Sequence, residues 1–225
     1  MNVSLALFDL DGTLCSGHLW EGFLKYYVAR RRKRAWILAF WARHIPFWWL
    51  KKCRLVSEEK FRSKWIEDLS GIFRGESREE MSQLFQWVND NYVIRSFRKD
   101  IFDTLNQHKQ SGRMVIIVSA TFNGLLEIVA HELGIATVIG TRLEVVDDRY
   151  TGKIIGPACF GWNKIRLVEE FISQNGLDID LSSSFAYADS LSDIPLLKLV
   201  GNPVATYPDG ELRQFARDNN WPILP

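Results

Sequence analysis

An almost uninterrupted apolar run near the N-terminus, from Val3 to Phe8, constrains the fold more than any other feature of the chain. A strand with one face in water alternates apolar and polar residues, whereas a strand covered on both faces does not. Strands of the second kind belong to parallel sheets that have helices packed on both sides. The run therefore predicts a buried strand in an α/β fold.

Further segments have the character of strands, and helical patterns lie between them. The predicted strands are Met114–Val118, Phe185–Ala188 and Pro203–Thr206, with a hairpin over Leu143–Ile155 that turns near Asp147 and Asp148. Two runs of apolar residues at helical spacing precede Gly134 and Gly176, which are typical helix stops. Strands that alternate with helices predict a doubly wound, Rossmann-like parallel sheet, whose ligands bind beyond the carboxyl ends of the strands.

The segment 16–98 breaks this rhythm and differs from the rest of the chain in charge. It holds 17 Lys and Arg against 9 Asp and Glu, whereas the remainder holds 11 against 18. Its patterns are helical only, with a joint predicted at Gly71–Gly75. Because the segment is inserted directly after the first strand, we expect an all-helical cap, residues 16–98, over the strand ends of a core formed by residues 1–15 and 99–225.

Cysteine usage and the N-terminus bear on the compartment. The three cysteines (Cys15, Cys53 and Cys159) are widely spaced and form no CxxC pair, which favours neither a disulfide framework nor a zinc site. The N-terminus lacks the basic segment, apolar segment and cleavage site of a secretory signal. We therefore expect a protein of the reducing cytoplasm.

Two carboxylates, Asp9 and Asp11, follow the first apolar run. Side chains two residues apart on a strand point to the same side of it. Two anions that share one space repel each other unless a positive charge lies between them or one of them is protonated. The rest of the sequence should therefore bring a positive charge to this strand end.

Polar residues near other predicted strand ends can complete such a site. Ser119 follows a strand and precedes a helix, where its hydroxyl and the Ala120 amide can hold an anion. Lys164 opens a helix, a position that the helix dipole makes unfavourable for a cation. Asp189 and Asp193 bring the number of carboxylates to four. Such an oxygen-only set suits Mg²⁺, so Mg²⁺ and Lys164 would supply the positive charge.

In this order, these motifs resemble the four motifs of the haloacid dehalogenase (HAD) superfamily of phosphotransferases, and the pattern covers nearly the whole chain. They are DLDGTL at residues 9–14, the serine after VIIV, the lysine at 164, and DSLSD at residues 189–193. The inserted helical segment resembles the C1 cap of that superfamily. Residues 140–164 resemble the phosphoserine phosphatase-like branch, subfamily IB.

The resemblance implies a phosphatase of phosphate monoesters that acts through an aspartyl-phosphate intermediate. Asp9 would attack the phosphorus atom, and Asp11 would protonate the leaving oxygen and then activate water. Ser119, the backbone amide of Ala120 and Lys164 would hold the phosphoryl oxygens.

The resemblance also implies a magnesium cofactor. The carboxylates of Asp9 and Asp189 and the backbone carbonyl of Asp11 would be its ligands. Asp193 would orient Lys164 or lie just outside the ligands of the metal. A dehalogenase would need neither Asp11 as a proton donor nor the full acidic set, so the residues favour phosphatase chemistry within the superfamily.

The sequence departs from phosphoserine phosphatases at two places. Those enzymes carry an acidic residue soon after the first motif to read the substrate amine, but here residues 16–20 precede Glu21. Ser190 and Ser192 stand where the fourth motif usually has glycine and asparagine. Both departures count against phosphoserine itself and leave the natural substrate, a small phosphomonoester, open.

The cap carries an aromatic and aliphatic run, Ala35–Leu50, between two basic blocks. Residues 16–56 hold ten basic residues, one acid and five of the nine tryptophans. At 16 residues the run is too short to span a bilayer. It suits a helix in the headgroup region of an anionic membrane, as a peripheral contact, or equally the core of the cap or a dimer contact.

The same run opens two alternatives for function. The arrangement resembles that of a bacterial phosphatidylglycerophosphatase of the same branch, although the corresponding segment of that enzyme is more apolar. This resemblance would make a membrane lipid phosphate the substrate. A non-enzymatic alternative is a basic, aromatic module that binds membrane or nucleic acid. The acidic residues argue against the second alternative, because repelling carboxylates without catalysis would reduce stability.

Overall fold

The computed structural model describes residues 3–53 and 55–225. They form a seven-stranded sheet in the order β4-β3-β2-β1-β5-β6-β7, in which every neighbouring pair is parallel except the β3–β4 hairpin. The strands are β1 (Leu5–Phe8), β2 (Met114–Phe122), β3 (Thr137–Val146), β4 (Arg149–Ile155), β5 (Phe185–Ala188), β6 (Asn202–Thr206) and β7 (Ile223–Leu224). The expected α/β fold with a mostly parallel sheet is confirmed.

Helices cover both faces of this sheet and form the insertion that follows β1. The helices are α1 (Trp20–Ala29), α2 (Arg34–Lys52), α3 (Glu58–Ser70), α4 (Arg78–Val88), α5 (Ile94–Ser96), α6 (Lys99–Gln110), α7 (Asn123–Leu133), α8 (Trp162–Gln174), α9 (Ile194–Lys198) and α10 (Gly210–Asp218). A 3₁₀ turn at Gly71–Phe73, a π-helical turn at Asn89–Val93 and a 3₁₀ turn at Leu191–Asp193 join some of them. No described helix has both the length and the hydropathy that crossing a bilayer requires.

The central strand β1 is buried on both faces, as its composition predicts. Ala6 and Phe8 pack into one hydrophobic cluster, which continues into the inserted helices, whereas Leu5 and Leu7 pack into a second cluster on the other side of the sheet. All four side chains are fully buried. This burial holds the carboxyl end of β1 firmly at the middle of the sheet.

The inserted helices α1–α5 join the core through two adjacent chain segments. The Ser16 N–H donates to the Ser96 carbonyl (2.8 Å), and the Arg98 N–H donates to the Leu14 carbonyl (2.9 Å). Between residues 16 and 98 the described chain contains no strand of the sheet. The two segments therefore leave the core side by side, next to the end of β1.

A second connection ties the inserted helices to the β3–β4 hairpin. The Gly75 N–H donates to the Tyr150 carbonyl (2.8 Å), and the Tyr150 N–H donates to the Glu76 carbonyl (2.9 Å). Nearby, the rings of Phe73 and Phe122 meet edge to face, 5.2 Å apart. One face of the insertion is thus fixed to the core by backbone hydrogen bonds and by shared aromatic packing.

Several sequence predictions differ from the structure in their bounds. The hairpin turns at Asp147 and Asp148, as predicted, and both adopt the left-handed conformation of a tight hairpin turn. However, β3 begins at Thr137 and also pairs with β2, which the sequence did not indicate. The short edge strand β7 was also missed.

Candidate active site

A cavity of about 840 Å³ opens at the carboxyl ends of β1, β2 and β5, below α1–α3. The predicted site residues all line it: Asp9, Asp11, Ser119, Ala120, Lys164, Asp189 and Asp193. Parallel strands that end at one edge of a sheet make such a crevice. The structure therefore brings the candidate residues together from segments that are far apart in the sequence.

Lys164 lies between two carboxylates at the bottom of the cavity. It stands in the first turn of α8, and its Nζ is 2.6 Å from Asp9 Oδ1 and 2.6 Å from Asp193 Oδ1. Asp9 follows β1 directly and is 4% exposed, and Lys164 is 2% exposed. The predicted positive charge is present, but it separates Asp9 from Asp193 rather than Asp9 from Asp11.

Burial shapes the protonation of this ion-pair cluster. Burial raises the pKa of Asp9, Asp193 and Asp189 raise it further, and the Lys164 ammonium opposes that shift. Burial also disfavours the Lys164 ammonium, but Asp193 and Asp9 outweigh it and raise the pKa of Lys164. Lys164 is therefore charged at neutral pH, and it opposes but does not cancel the burial and the neighbouring carboxylates that raise the pKa of Asp9.

Asp11 occupies a different part of the cavity. Its Oδ1 accepts a hydrogen bond from the Leu19 N–H (2.6 Å), and its Oδ2 accepts one from the Thr121 hydroxyl (2.8 Å). Burial raises the pKa of the Asp11 carboxyl, whereas these two hydrogen bonds lower it. A carboxyl group with a raised pKa holds a proton more readily than an ordinary one, so it can give a proton as well as take one.

Ser119 does not lie where the sequence placed it. The sequence predicted that Ser119 and Ala120 stand between a strand and a helix N-terminus, but β2 continues to Phe122 and α7 begins four residues after Ser119. The prediction that these two residues adjoin a helix N-terminus is therefore wrong. Ser119 lies instead at an irregularity of β2, where its pairing with β3 shifts between Val118 and Phe122.

Two threonines that the sequence did not single out organise this irregularity. The Ser119 hydroxyl accepts a hydrogen bond from the Thr121 N–H (3.2 Å), and Thr121 also binds Asp11. The Thr141 hydroxyl donates to the Ala120 carbonyl (2.8 Å) from β3. In the sequence, only the alternation of side chains after Val118 could have indicated that Thr121 points to the same side as Ser119. The position of Thr141 depends on the pairing of β3 with β2, which the sequence does not show.

Three carboxylates are close enough to share a cation. One oxygen each of Asp9, Asp189 and Asp193 lies within 4.8 Å of the others. Burial raises the pKa of Asp189 to about 7, and Asp193 adds to that shift. A divalent cation would relieve this repulsion, and a set of carboxylate oxygens is the chemistry that Mg²⁺ prefers. The donor set fits the implied metal.

Gly12 explains how the two acidic segments approach so closely. A Cβ atom at this position would lie 2.0 Å from Asp189 Oδ2, and Gly12 has a φ of +88°, which favours glycine. Only a residue without a side chain therefore allows the loop after β1 to pack against the Asp189 carboxylate. The carboxylate of Asp11 lies outside the cluster of three, so a metal contact from that residue would involve its backbone carbonyl.

The inserted helices form the outer wall of the cavity. Trp20 from α1 and Trp65 from α3 meet edge to face there, 5.3 Å apart, and Arg62 lies beside them. His18, which is exposed, lines the cavity on the side of Asp11. A substrate that reaches Asp9 would therefore contact aromatic and charged groups of the insertion as well as the core.

Comparison with known proteins places this site in a family. A family model for haloacid dehalogenase-like hydrolases matches residues 6–198. The chain is 29% identical to a histidinol-phosphatase of Neisseria meningitidis, over 98% of both chains. It is 30% identical to a phosphoserine phosphatase of Mycobacterium tuberculosis, over 97% of this chain and 69% of the relative.

Solved structures agree with the fold. A protein with unknown function from Bordetella pertussis matches with a TM-score of 0.84 and 26% identity, over 100% of this chain and 99% of that chain. A phospho-aspartyl intermediate analogue of phosphoserine phosphatase matches with a TM-score of 0.65 over 100% of this chain and 93% of that chain. At 18% identity, this second likeness shows the fold alone.

Proposed function

The chain belongs to the haloacid dehalogenase-like hydrolase family, and we propose that it is a magnesium-dependent phosphatase of phosphate monoesters that acts through an aspartyl-phosphate. The observation that carries the proposal is that two carboxylates in the cavity, Asp9 and Asp11, have different partners. Asp9 pairs with the Lys164 ammonium, whereas Asp11 is held by a backbone N–H and a hydroxyl. Different surroundings give two carboxylates different roles.

In the first step, an Asp9 carboxylate oxygen attacks the phosphorus atom, and the bond from phosphorus to the leaving oxygen breaks. Asp11 gives its proton to that oxygen, so the leaving group departs as an alcohol. In the second step, the Asp11 carboxylate takes a proton from water, whose oxygen attacks phosphorus and breaks the bond to Asp9. The products are phosphate and the original Asp9 carboxylate.

Lys164 and the Ser119 segment act on the phosphoryl group. Lys164 holds Asp9 by Oδ1, which directs the carboxylate toward the cavity, and its charge stabilises the phosphoryl oxygens. The Ser119 hydroxyl and the Ala120 amide provide further donors from the irregular end of β2. Asp193 contacts Lys164 from the opposite side and fixes the orientation of its ammonium.

The proposed holders of Mg²⁺ are the Asp9 and Asp189 carboxylates and the Asp11 backbone carbonyl, with Asp193 beside them. When bound, Mg²⁺ neutralises charge on the transferring phosphoryl group. The clustering of one oxygen each from Asp9, Asp189 and Asp193 within 4.8 Å supports this assignment, and so does the raised pKa of Asp189, which comes from burial and from the neighbouring Asp193.

The direct test measures release of inorganic phosphate from an aryl phosphate with Mg²⁺ and with EDTA. We expect turnover that requires Mg²⁺ and is lost in the Asp9→Asn variant. Turnover that is equal in EDTA, or that persists in Asp9→Asn, would refute the proposal. The kcat/KM values for histidinol phosphate and phosphoserine, the substrates in the names of two relatives, then show which ester the protein hydrolyses better.

A second candidate substrate is a phosphate monoester on a membrane lipid. The observation that favours it is a set of large apolar side chains exposed on α2, beside the cavity wall to which Lys51 contributes. Phosphatidylglycerophosphate presented in mixed micelles tests this candidate against the soluble esters. A higher kcat/KM for the lipid than for every soluble ester would establish it, and the reverse order would exclude it.

A further inference from the structure

Helix α2 has apolar residues on two opposite faces. Its inner face packs on the other inserted helices, where the rings of Phe40 and His44 lie 4.7 and 4.8 Å from the ring of Trp65. On the opposite side, Leu38 is 72% exposed and Trp49 is 57% exposed. A helix that is apolar all round is normally buried all round, so this side lacks a partner within the described chain.

The exposed side is a continuous stripe with a basic residue at each end. We call Arg34, Leu38, Ile45, Trp49 and Lys52 the outer face of α2, because their spacing places them on one side of the helix. The stripe is about 27 Å long, at the rise of 1.5 Å per residue. Pro46 is exposed beside it. The apolar surface is therefore elongated, and its ends are charged.

Helix α2 itself carries no acidic residue. The sequence contains no Asp or Glu between Glu21 and Glu58. Among the described residues, neither Arg34 nor Lys52 forms an ion pair with a carboxylate, whereas Arg43 on the flank of α2 pairs with Asp68. The Lys52 ammonium lies 4.4 Å from the centre of the Trp48 ring. Of the two charges at the ends of the stripe, Lys52 thus lies against the exposed tryptophans, and Arg34 lies at the far end.

We propose that the outer face of α2 docks on an anionic lipid bilayer. Indole rings and apolar side chains enter the boundary between headgroups and acyl chains, while Arg34 and Lys52 meet the negative headgroups. A second copy of the chain would present the same positive face, so the two faces would repel each other. The sequence of α2 is compatible with membrane contact and with packing in the core of the cap. In this proposal the helix serves both purposes, because its aromatic residues are divided between its outer and inner faces.

Docking in this way orients the cavity. Lys51 and Val56 line the cavity, whereas Lys52 and Leu55, which is 73% exposed, face solvent next to them. The cavity wall formed by α2 and α3 would therefore lie beside the bilayer surface. This inference goes beyond the proposed chemistry and does not depend on the role of Asp9.

Co-sedimentation with vesicles tests the proposal. The vesicles are phosphatidylcholine mixed with phosphatidylglycerol, or phosphatidylcholine alone, each at low and at high salt. We expect binding only to the anionic vesicles, weakened by salt. Removing both basic ends (Arg34→Gln with Lys52→Gln) should weaken binding by about fivefold per charge at low salt. The apolar variant Leu38→Ser with Trp49→Ser should weaken it by about tenfold or more.

Matched controls come from the β3–β4 hairpin, which also exposes apolar and basic residues. The variant Val146→Ser with Ile155→Ser, and the variant Lys153→Gln, should bind as the unmodified protein does. Turnover of a soluble aryl phosphate should be unchanged in the outer-face variants, which shows that they fold. Equal loss of binding in the hairpin controls would overturn the proposal, because binding would then be unspecific.

Two further measurements separate this inference from its competitors. Asp9→Asn should bind anionic vesicles fully. Unmodified protein that binds these vesicles but releases no phosphate from any ester would refute the proposed chemistry and leave the docking surface intact. Sedimentation velocity tests the occupant. A dimer that Trp49→Ser dissociates, together with no binding to anionic vesicles at low salt, would assign the outer face to a second copy and overturn the proposal.

Discussion

The charges of the core and those of the inserted helices behave in opposite ways. In the core, Asp9, Lys164 and Asp193 are buried, and the Lys164 ammonium lies 2.6 Å from an oxygen of each carboxylate. On α2, Arg34 and Lys52 are exposed and have no carboxylate partner among the described residues. Desolvation makes each buried charge dependent on its neighbours, whereas salt and water screen the exposed ones. We therefore expect changes of the core charges to alter catalysis and stability, and changes of the exposed charges on α2 to alter only the binding of the protein to its surroundings.

The largest effect should come from the nucleophile in the core. Asp9→Asn replaces the attacking carboxylate by an amide that cannot attack phosphorus, so kcat should fall by at least about a thousandfold with the fold retained. Phosphate release and circular dichroism measure the two properties. Arg34→Gln on α2 is the matched change of one charge, and it should leave kcat on a soluble ester unchanged. If Asp9→Asn turned over substrate within tenfold of the unmodified protein, the core charge and the surface charge would not differ in their effect on catalysis as we expect.

Lys164 should be the charge on which stability depends most. Lys164→Ala leaves Asp9 and Asp193 buried without a counter-charge, which should lower the free energy of unfolding by about 3–5 kcal/mol at mildly alkaline pH. Mg²⁺ should restore part of this loss, because it places positive charge among the same carboxylates. Urea unfolding with Mg²⁺ and with EDTA measures both effects. Lys153→Ala, on the surface, should change stability by less than about 0.5 kcal/mol, and an equal effect of the two variants would contradict the comparison.

The inner and outer faces of α2 allow buried and exposed side chains to be compared within one helix. Phe40→Ala on the inner face should lower the free energy of unfolding by about 3–5 kcal/mol, because it leaves a cavity against Trp65. Leu38→Ala on the outer face should change it by no more than about 0.5 kcal/mol in the absence of membrane. Thermal or urea unfolding of the pair checks this. A large loss of stability in Leu38→Ala would mean that the outer face is already covered in solution.

Two buried histidines, His108 in the core and His44 in the inserted helices, should differ least, in their effect on the pH dependence of stability. Burial lowers the pKa of His108 to about 4, beside the Tyr187 hydroxyl, so the unfolded chain binds the proton more readily between pH 6.5 and 4. The stability contributed by neutral His108 is complete above pH 6.5 and is lost as the pH falls, by roughly 3 kcal/mol at most.

His108→Gln should therefore flatten the pH dependence of unfolding in that window. Burial also lowers the pKa of His44 in α2, but Asp68 opposes the shift, so His44→Gln should flatten the dependence less. Urea unfolding at several pH values compares the two variants. A steeper dependence in His108→Gln than in the unmodified protein would show that the sign is wrong.

Sequence patterns predicted what depends on neighbours along the chain. Asp9 was found because it ends an apolar run, and Lys164 and Asp189 because each adjoins a recognisable element. The end of β2 could not be found in this way. The apolar run stops at Val118, but pairing with β3 carries the strand on to Phe122, and that pairing depends on a strand 15 residues further along the chain.

The two faces of α2 were also beyond the sequence. Tryptophan and phenylalanine occur all round the helix, so their spacing does not indicate an inner side. The inner side became visible only from the position of Trp65 in α3. By contrast, the contact of Asp193 with Lys164 was expected from the family resemblance, and the structure adds that Lys164 lies between Asp193 and Asp9.

The hydrogen bonds between Tyr150 and the segment Gly75–Glu76 have a consequence for modularity. An insertion that joins the core at two adjacent points, here near Leu14 and Arg98, can be exchanged between relatives as a cassette bounded by these two points. A cassette cut only there would leave Tyr150 of the hairpin without its backbone partners. The transferable unit is therefore the insertion together with the β3–β4 hairpin, and chimeras that move one without the other should assemble poorly.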